Sequence, residues 1–520
     1  MSTEALGDFS ALGFGLEEEQ SRHLLEHRRA DNYLAWYDDV IGAANLAEHS
    51  TVRGCMIITP NGYALWENIQ RLFDERLKRE GIENVYFPMF IPLRYFQKEA
   101  SHVEGFAKEC AVVTHYRLKK DQTGKIAPDP EAALDEPLVV RPTSETIISE
   151  YFSRRVQYER DLPVRINQWA NVVRWEHQTR LFLRTTEFLW QEGHTVHATP
   201  EEAQTQALRM LQVYKEFVEG SLAVPVIVGE KSPGERFAGA EKTYCLEAMM
   251  QDGKALQECT SHYLGQKFSQ AFNISFRDRR NGIQYPYTTS WGLTTRVIGS
   301  VIMVHSDDDG LRQPPKIASK HIVIIPCYHK ASKEAVDGYA QRICDVFRQV
   351  VYDGQLVRCF IDGRALPPAK KFWDAVVKGI PIRVEVGPRE VDAETVLLSR
   401  RDHPHREKTS VPLDGHITDF VKETLQEIQN EYFQQALRFR DERIKRDIAD
   451  YDSLVKFFSS EENSKMFVLA KWCEDPSTEE MLKPINVTIR CIPLEQTQTE
   501  GCCILTGKPC KTDVILAKSY

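Results

Sequence analysis

Apolar positions along the chain follow two rhythms, one helical and one alternating, and the change between them marks the elements. Leu65, Ile69, Leu72, Phe73 and Leu77 recur at helical spacing and predict a helix over Ala64–Arg79. Glu201–Glu219 reads as an amphipathic helix, and Thr289–Arg296 leads into an apolar helix over Val297–Val304. Val52–Ile58 is strand-like, Pro60-Asn-Gly reads as a breaker, and Asn84–Ile91 reads as a buried strand ending at Pro92. Asp121–Pro137, rich in Asp, Pro and Ala, predicts an exposed loop. Leu138–Glu145 predicts a strand running into a helix start, with Thr143 or Ser144 as the cap. The first fifty residues read as helical and charged, with Glu17-Glu-Glu ahead of a basic segment from Arg22.

Composition shifts at Leu311–Lys316, a natural place for a linker. Beyond it the two rhythms alternate: His321–Pro326, a helix through Val350, Leu356–Ile361, a helix around Lys371–Lys378, and Ile382–Val386. That order predicts an α/β domain with a largely parallel sheet. A long charged helix is expected from Asp414 to about Asp450, followed by a last region ending at Tyr520.

One stretch breaks the ordinary pattern. Asn171 to His194 reads as two apolar strands joined by a polar turn, yet Arg174, Glu176, Arg184, Glu187, Glu192 and His194 are threaded among Trp175, Phe182, Phe188 and Trp190. A hairpin on a core normally alternates apolar and polar faces. Here there are too many charges for a core face and too many aromatic rings for a wet one. A sheet floor that holds a charged, aromatic ligand explains both, and ATP fits: guanidinium forks for phosphate and a ring for adenine.

Size and composition then narrow the class. At 520 residues the chain has room for two to four domains. No apolar run approaches the ~20 residues that span a bilayer, and Met1–Leu6 lacks the basic-then-apolar order of a secretory signal. A cytoplasmic location is therefore expected. Cys55, Cys110, Cys245, Cys259, Cys327, Cys344 and Cys359 are scattered without framework spacing and read as reduced thiols. A net charge of −9 argues against a non-specific polyanion binder, though a local basic face is still open.

No Gly-x-x-x-x-Gly-Lys-Ser/Thr loop is present, and the Gly-x-Gly at Gly13–Gly15 lacks both a preceding strand and a third glycine. Phosphate must then be gripped by side chains. Arg174, in Val-Arg-Trp-Glu, and Arg296, in Gly292-Leu-Thr-Thr-Arg-Val-Ile-Gly299, are the candidates.

In these places the chain resembles the class II aminoacyl-tRNA synthetases. The Pro60 segment is similar to their dimer-forming first motif, Arg174–His194 to the second, and Ser290–Gly299 to the third. More narrowly, Arg141-Pro-Thr-Ser-Glu-Thr146, Phe188-Leu-Trp-Gln-Glu-Gly-His194, Thr260-Ser-His262 with Leu264-Gly-Gln266, and Ser290-Trp-Gly-Leu-Thr-Thr-Arg296 resemble the prolyl-tRNA synthetases, of the type found in eukaryotes and archaea. The resemblance runs from about residue 25 to Tyr520. It implies an α+β fold: an antiparallel sheet of six to seven strands flanked by helices, then an α/β anticodon-binding domain and a small α/β C-terminal domain. The implied boundaries are an extension at 1–25, a catalytic domain at 26–312, an anticodon domain at 317–420 and a C-terminal domain at 421–520.

The resemblance implies residue roles as well. Arg174 and Arg296 would be catalytic, gripping the α-phosphate and the terminal phosphates of ATP. Glu176 and Glu187 would orient ATP or Mg²⁺, and Phe188 would stack on adenine. Thr185, Gln257, Thr260, Ser290, Gly292 and Thr294 would complete the ATP site. Thr143 and Glu145 would take the ammonium of L-proline, in a pocket shaped by Arg174, Trp190, Glu192, His194, Phe237 and His262. Lys371, Phe372, Glu385 and Arg389, within or beside Gly379-Ile-Pro-Ile-Arg-Val-Glu-Val-Gly-Pro-Arg389, would read the anticodon of tRNA(Pro). A homodimer is implied, and the short stretch Thr195–Leu256 leaves no room for an inserted editing domain.

The chain also departs from the family pattern. Of four zinc-binding cysteines, Trp472-Cys-Glu-Asp475 keeps one of the first pair, and Thr506 stands in the fourth position after Cys503. Threonine is a poor zinc ligand, so no zinc is expected. Glu258-Cys259 replaces two glycines, and Thr186 replaces an arginine. A non-catalytic relative would have lost Arg174, Arg296, Thr143 or Glu145, and all four are present. The third reading, a synthetase for another amino acid, is separated by which amino acid drives ATP–pyrophosphate exchange.

Overall fold

The computed structural model describes residues 25–98, 109–460 and 465–520. The expected N-terminal extension, with Gly13–Gly15, Glu17–Glu19 and Arg22, lies outside the described residues apart from Leu25. Two compact units divide the described residues: one holds 25–48, 58–68 and 301–434, the other 49–57, 69–98, 109–300, 435–460 and 465–520. Among the described residues no helix is long and apolar enough to cross a membrane. All twelve cysteines are free thiols.

The second unit is built on one large sheet. Its antiparallel centre comprises β1 (Val164–Val173), β2 (Glu187–His197), β3 (Val226–Glu230), β4 (Lys242–Met249), β5 (Ala255–Gly265) and β6 (Tyr287–Thr294). They lie side by side in the order β3, β4, β5, β6, β2, β1, and Glu83–Asn84 adds a short parallel edge beside β1. At the other edge four C-terminal strands continue the same sheet, joined where Thr488–Pro493 pairs with β3. The expected small C-terminal domain therefore shares hydrogen bonds with the catalytic sheet. Gly229 permits that joint, because a Cβ there would lie 2.7 Å from the Cys491 sulfur and from the Ile492 carbonyl.

Four helices matter for the site: α1 (Pro60–Arg79), α2 (Glu145–Arg155), α3 (Pro200–Ser221) and α4 (Arg296–His305). The α3 helix starts with Thr199 accepting from the Glu202 amide and with Pro200 in its first turn, where a missing N–H costs nothing. Ala203, Ala207, Met210, Tyr214 and Phe217 form its buried stripe. It covers the back of the sheet, where Tyr214 donates to Gln191 Oε1 at 2.6 Å and the Ser261 hydroxyl donates to the Ala207 carbonyl at 2.7 Å.

Several sequence expectations need correction. Pro60-Asn-Gly opens helix α1 rather than breaking the chain, since proline is preorganised for the first helical position. The stretch 121–128 is exposed as expected, but it is not all loop: Leu118–Lys120 and Ile126–Pro128 form a hairpin. Its turn is tied by Asp121 accepting from the amides of Thr123 and Lys125, with Gly124 at φ +81°. Asn84–Ile91 is strand only at its ends, Glu83–Asn84 and Phe90–Pro92. The hydroxyls of Thr143 and Ser144 do not cap α2, because both are turned to carboxylates instead.

The first unit carries a five-stranded sheet in the order Cys359–Ile361, Ile322–Pro326, Ile382–Val386, Thr395–Arg400, Thr409–Pro412. Its first three strands are parallel and its last two antiparallel, so the sheet is mixed rather than largely parallel. Leu311–Lys316 is a packed connection, with Leu311 and Gln313 buried, and not an exposed linker. The charged helix runs only over Ile417–Asp441, because Asp450 caps a separate helix, Tyr451–Ser459, through the Ser453 amide.

A buried charge cluster ties the C-terminal strands to the catalytic sheet. Glu247, fully buried, accepts from Lys231 Nζ at 2.6 Å and from the Arg490 guanidinium at 3.0 and 3.1 Å. Burial works against the charge on Glu247, but Lys231 and Arg490 outweigh it and hold the carboxyl below its usual value. Its contribution is present above the ordinary glutamate range and is lost as pH falls through the lowered native value. Glu247→Gln is expected to destabilise the fold by about 3–5 kcal/mol, against about 1 kcal/mol or less for breaking the surface pair Arg209–Glu80. Urea unfolding of both variants checks this, and equal small losses would refute it.

Candidate active site

Strand alternation places every second side chain of β2 on one face, so Phe188, Trp190, Glu192 and His194 point the same way. The register of β2 against β6 sets Trp190 opposite Thr294, Glu192 opposite Gly292 and His194 opposite Ser290. The register of β5 against β6 adds Thr260 opposite Gly292 and His262 opposite Ser290. Residues scattered over about 100 positions thus form adjacent rows on one sheet face. They floor a cavity of about 420 Å³.

Close approach on the opposite face holds these rows in place. A Cβ on Gly193 would fall 2.0 Å from the ring of Trp291, its cross-strand partner. Trp291 is buried and meets Tyr214 of α3 edge-on, with ring centroids 6.3 Å apart. Any larger residue at 193 would push β2 away from β6.

Of the residues singled out for ATP and proline, Thr143, Glu145, Arg174, Glu176, Thr185, Phe188, Trp190, Glu192, His194, Phe237, Gln257, Thr260, His262, Ser290, Gly292, Thr294 and Arg296 all line this cavity. Glu187 does not: it is exposed and accepts from Asn171 Nδ2 at 2.8 Å. Thr186 is also absent from the lining and packs on Gly54, whose carbonyl accepts from the Thr186 amide at 2.8 Å. Sequence reasoning missed Leu183, Glu235, Arg236 and Thr243 as lining residues. The link between β1 and β2 was read as a polar turn, but Leu181, Phe182 and Leu183 fold back into cover. Phe182 takes a positive φ of 61°, a strained state for a bulky residue that tertiary packing must hold.

Arg174 donates through Nε to the Pro142 carbonyl at 2.9 Å, and its guanidinium lies 5.6 Å from the ring centroids of both Phe188 and Trp190. Burial lowers its pKa to about 10; Glu145 and Glu192 oppose that shift and Arg296 adds to it. Arg296 donates through Nε to the Leu183 carbonyl at 3.1 Å and is also lowered, by burial and then by Arg184 and Arg490, against Glu258 and Glu247. Both remain cations at neutral pH, half-buried and lining one cavity.

Glu145 sits in the first turn of α2, where the helix dipole favours a carboxylate, and accepts from the Thr143 hydroxyl. Glu192 accepts from Ser144 and Gln168, each at 2.5 Å, and pairs with His194 Nε2 at 2.9 Å. Burial disfavours a charged His194, yet the hydrogen bond and charge of Glu192 raise its pKa above the usual value. His262 behaves oppositely. Burial lowers it to about 4, aided by His194 and Arg174, and its ring stacks on Phe237 at 4.4 Å. Among the described residues, Trp190 Nε1 and the Ser290 hydroxyl are buried without a hydrogen-bond partner, as expected of groups kept for a ligand.

The comparisons with known proteins agree with this geometry. Residues 129–305 match the tRNA synthetase class II core domain (G, H, P, S and T), residues 321–424 an anticodon binding domain, and residues 456–520 the prolyl-tRNA synthetase C-terminal domain. The proline–tRNA ligase of Protochlamydia amoebophila is 54% identical over 498 residues, covering 95% of this chain and 97% of the relative. That of Bdellovibrio bacteriovorus is 49% identical, covering 95% and 98%. The chain belongs to the prolyl-tRNA synthetases.

A solved prolyl-tRNA synthetase from Cryptosporidium parvum, complexed with halofuginone and AMPPNP, superposes with a TM-score of 0.84 at 34% identity, covering 95% of this chain and 96% of that one. As a prolyl-tRNA synthetase, the chain activates L-proline with ATP and transfers it to tRNA(Pro). The curated relatives named are bacterial, which does not support the narrower expectation of a eukaryotic or archaeal type.

The four expected anticodon residues differ in exposure. Lys371 is buried, and its Nζ donates to the Asp362 carbonyl at 2.9 Å. Phe372 lies beneath the Arg383 guanidinium at 4.8 Å, and Glu385 pairs with Lys408 at 2.6 Å. Lys408 also sits 5.8 Å from the Phe372 ring, so these two residues share a neighbour, while Arg389 is exposed. At the C-terminus the Tyr520 hydroxyl donates to Asp252 at 2.5 Å and its amide to the Ala255 carbonyl at 3.2 Å, at the start of β5.

Glu192→Gln is expected to bring the His194 titration below the usual 6.5, because burial then acts with less opposition. An NMR titration of the histidine ring protons reads this, and an unchanged midpoint would overturn the pairing.

Proposed function

We propose that Arg174 and Arg296 bind the ATP triphosphate while Thr143 and Glu145 take the ring nitrogen of proline. The carrying observation is that two recessed guanidinium groups and a helix-terminal carboxylate line one cavity with an aromatic wall. Trp190, Glu192, His194, Phe237 and His262 close the apolar slot for the five-membered ring. Phe188 stacks on adenine, and Thr185, Gln257, Thr260, Ser290, Gly292 and Thr294 hydrogen-bond the nucleotide. A secondary ammonium brings two N–H donors, which suits Thr143 and Glu145.

Arg174 holds the proline carboxylate against the α-phosphorus and stabilises the charge that develops there. Attack is in line, pyrophosphate leaves, and the terminal hydroxyl of tRNA then attacks prolyl-adenylate. No side chain needs to act as a nucleophile, so catalysis is positioning and charge stabilisation. Mg²⁺ bound with ATP supplies charge neutralisation, and Glu176 is the carboxylate that fits its orientation. One Glu176 oxygen accepts from the amides of His177 and Gln178, and the other faces Arg184 at 3.5 Å. Glu187, outside the cavity lining, is held by Asn171.

Functionally the chain divides into a catalytic part at 26–312, an anticodon-reading part at 317–420, and a C-terminal part at 421–520. Phe372, Glu385 and Arg389 are the groups left for the anticodon, since Lys371 is committed internally. The C-terminal part works without zinc, because Thr506 donates its hydroxyl to Cys473 Sγ at 3.8 Å in place of a fourth thiolate. The stretch 195–256 is taken up by α3, β3, β4 and the end of β2, which supports an enzyme without built-in editing. That compactness and the C-terminal module are the basis for the eukaryotic or archaeal architecture. The enzyme acts in the cytoplasm as a homodimer completed through the Pro60 segment.

Arg174→Met and Arg296→Met are each expected to lower kcat/KM for proline-dependent ATP–pyrophosphate exchange by about a hundred- to a thousandfold, with folding intact by circular dichroism. Exchange left near the parent rate in both would defeat the assignment. Sedimentation is expected to give twice the 59.8 kDa chain mass, and full activity in a monomer would refute the dimer.

A further inference from the structure

Glu258 is the one carboxyl group lining the cavity whose two oxygens are both buried and without a hydrogen-bond partner among the described residues. It is 4% exposed and sits on β5 between Gln257 and Cys259, both of which also line the cavity. An ionised carboxylate buried without donors is costly, whereas the neutral acid has an O–H to give.

The charged and titratable groups around it come from three elements. From α4 it faces the Ser300 hydroxyl and Arg296, both of which favour the ionised form, although Ser300 does not reach it in hydrogen-bond geometry. From β4 it faces Glu247, which repels the ionised form, although Glu247 is held by Lys231 and Arg490. On its own strand lies Cys259, a buried thiol held well above its usual range by burial and by Glu258. Burial dominates this balance and pushes the Glu258 carboxyl up to about 8, so it is mostly protonated at neutral pH.

We infer that Glu258 is a further nucleotide-positioning residue that, as the neutral acid, donates a hydrogen bond to a polyphosphate oxygen held by Arg296. The neutral form places a donor beside the cation. The ionised form would set a negative charge against the phosphates and partly neutralise Arg296. Protonation and nucleotide binding are therefore linked: affinity is full below pH 8 and falls as pH rises through it. This rests on the cavity being the ATP site.

The test is calorimetric titration of the full-length protein with AMPPNP and excess Mg²⁺ between pH 6.5 and 9.5. Binding to the parent is expected to weaken above pH 8, approaching tenfold per pH unit, with proton uptake revealed by buffers of different ionisation heat. Glu258→Gln keeps a neutral donor, so it is expected to match the parent at pH 7 and lack the parent's extra weakening above pH 8. Glu258→Ala is expected to bind about tenfold more weakly at pH 7. The nucleotide's own ionisation is common to all three.

Glu258→Gln binding as weakly as Glu258→Ala at pH 7 would overturn the inference, since the carboxylate itself, for instance as a metal ligand, would then be needed. Coincident pH profiles for Glu258→Gln and the parent would overturn it as well. Arg296→Met serves as the control for the site. Lost affinity there with no effect at Glu258 sinks only the new role, whereas undiminished affinity in Arg296→Met sinks the site reading with it.

Discussion

The placing of two guanidinium groups, Arg174 and Arg296, in the wall of one cavity is the constraint on which the site depends. Burial holds each below its usual pKa, and Arg296 lowers Arg174 further. A value near 10 still leaves Arg174 charged at neutral pH, so the cavity keeps two half-buried cations. A polyanion offsets that charge better than any single carboxylate does. Of the acidic groups nearby, Glu145 and Glu192 on the wall act on Arg174, while Glu258 on the wall and Glu247 outside the lining act on Arg296. This gives binding energy and direction without a glycine-rich phosphate loop.

Holding such a site open requires a stiff frame, and the sheet supplies it. The contact of Gly193 with Trp291 fixes β2 against β6 from behind, while the α3 stripe covers the same side. The C-terminal strands extend the sheet and add Arg490 to the buried Glu247 cluster. Because Glu247 and Arg490 both act on Arg296, that cluster reaches the cavity electrostatically as well as structurally. The strand Thr488–Pro493, which carries Arg490, is thus coupled to the Arg296 end of the cavity.

Much of this was legible in the sequence, and the reason is local. The Arg174–His194 stretch carries its excess of charge and aromatic rings in one continuous segment, so period-two alternation alone puts Phe188, Trp190, Glu192 and His194 on one face. Long periodic helices such as Pro200–Ser221 were readable for the same reason. Failures occurred where tertiary contacts or end effects decide. Pro60 reads as a breaker until its place at a helix start is known, and Lys371 looks solvent-facing until the Asp362 carbonyl is folded beside it. The inward fold of Leu181–Leu183 depends on the strained Phe182 backbone, which no residue pattern announces. Glu258 stood out only as a departure from the family; its isolation needed the surrounding walls to be seen.

A crystal structure of the chain with L-proline and AMPPNP bound tests the account most directly. The account predicts polyphosphate oxygens within hydrogen-bond distance of both the Arg174 and Arg296 guanidinium groups, with the proline nitrogen against Thr143 and Glu145. A nucleotide whose phosphates engage neither arginine would contradict it.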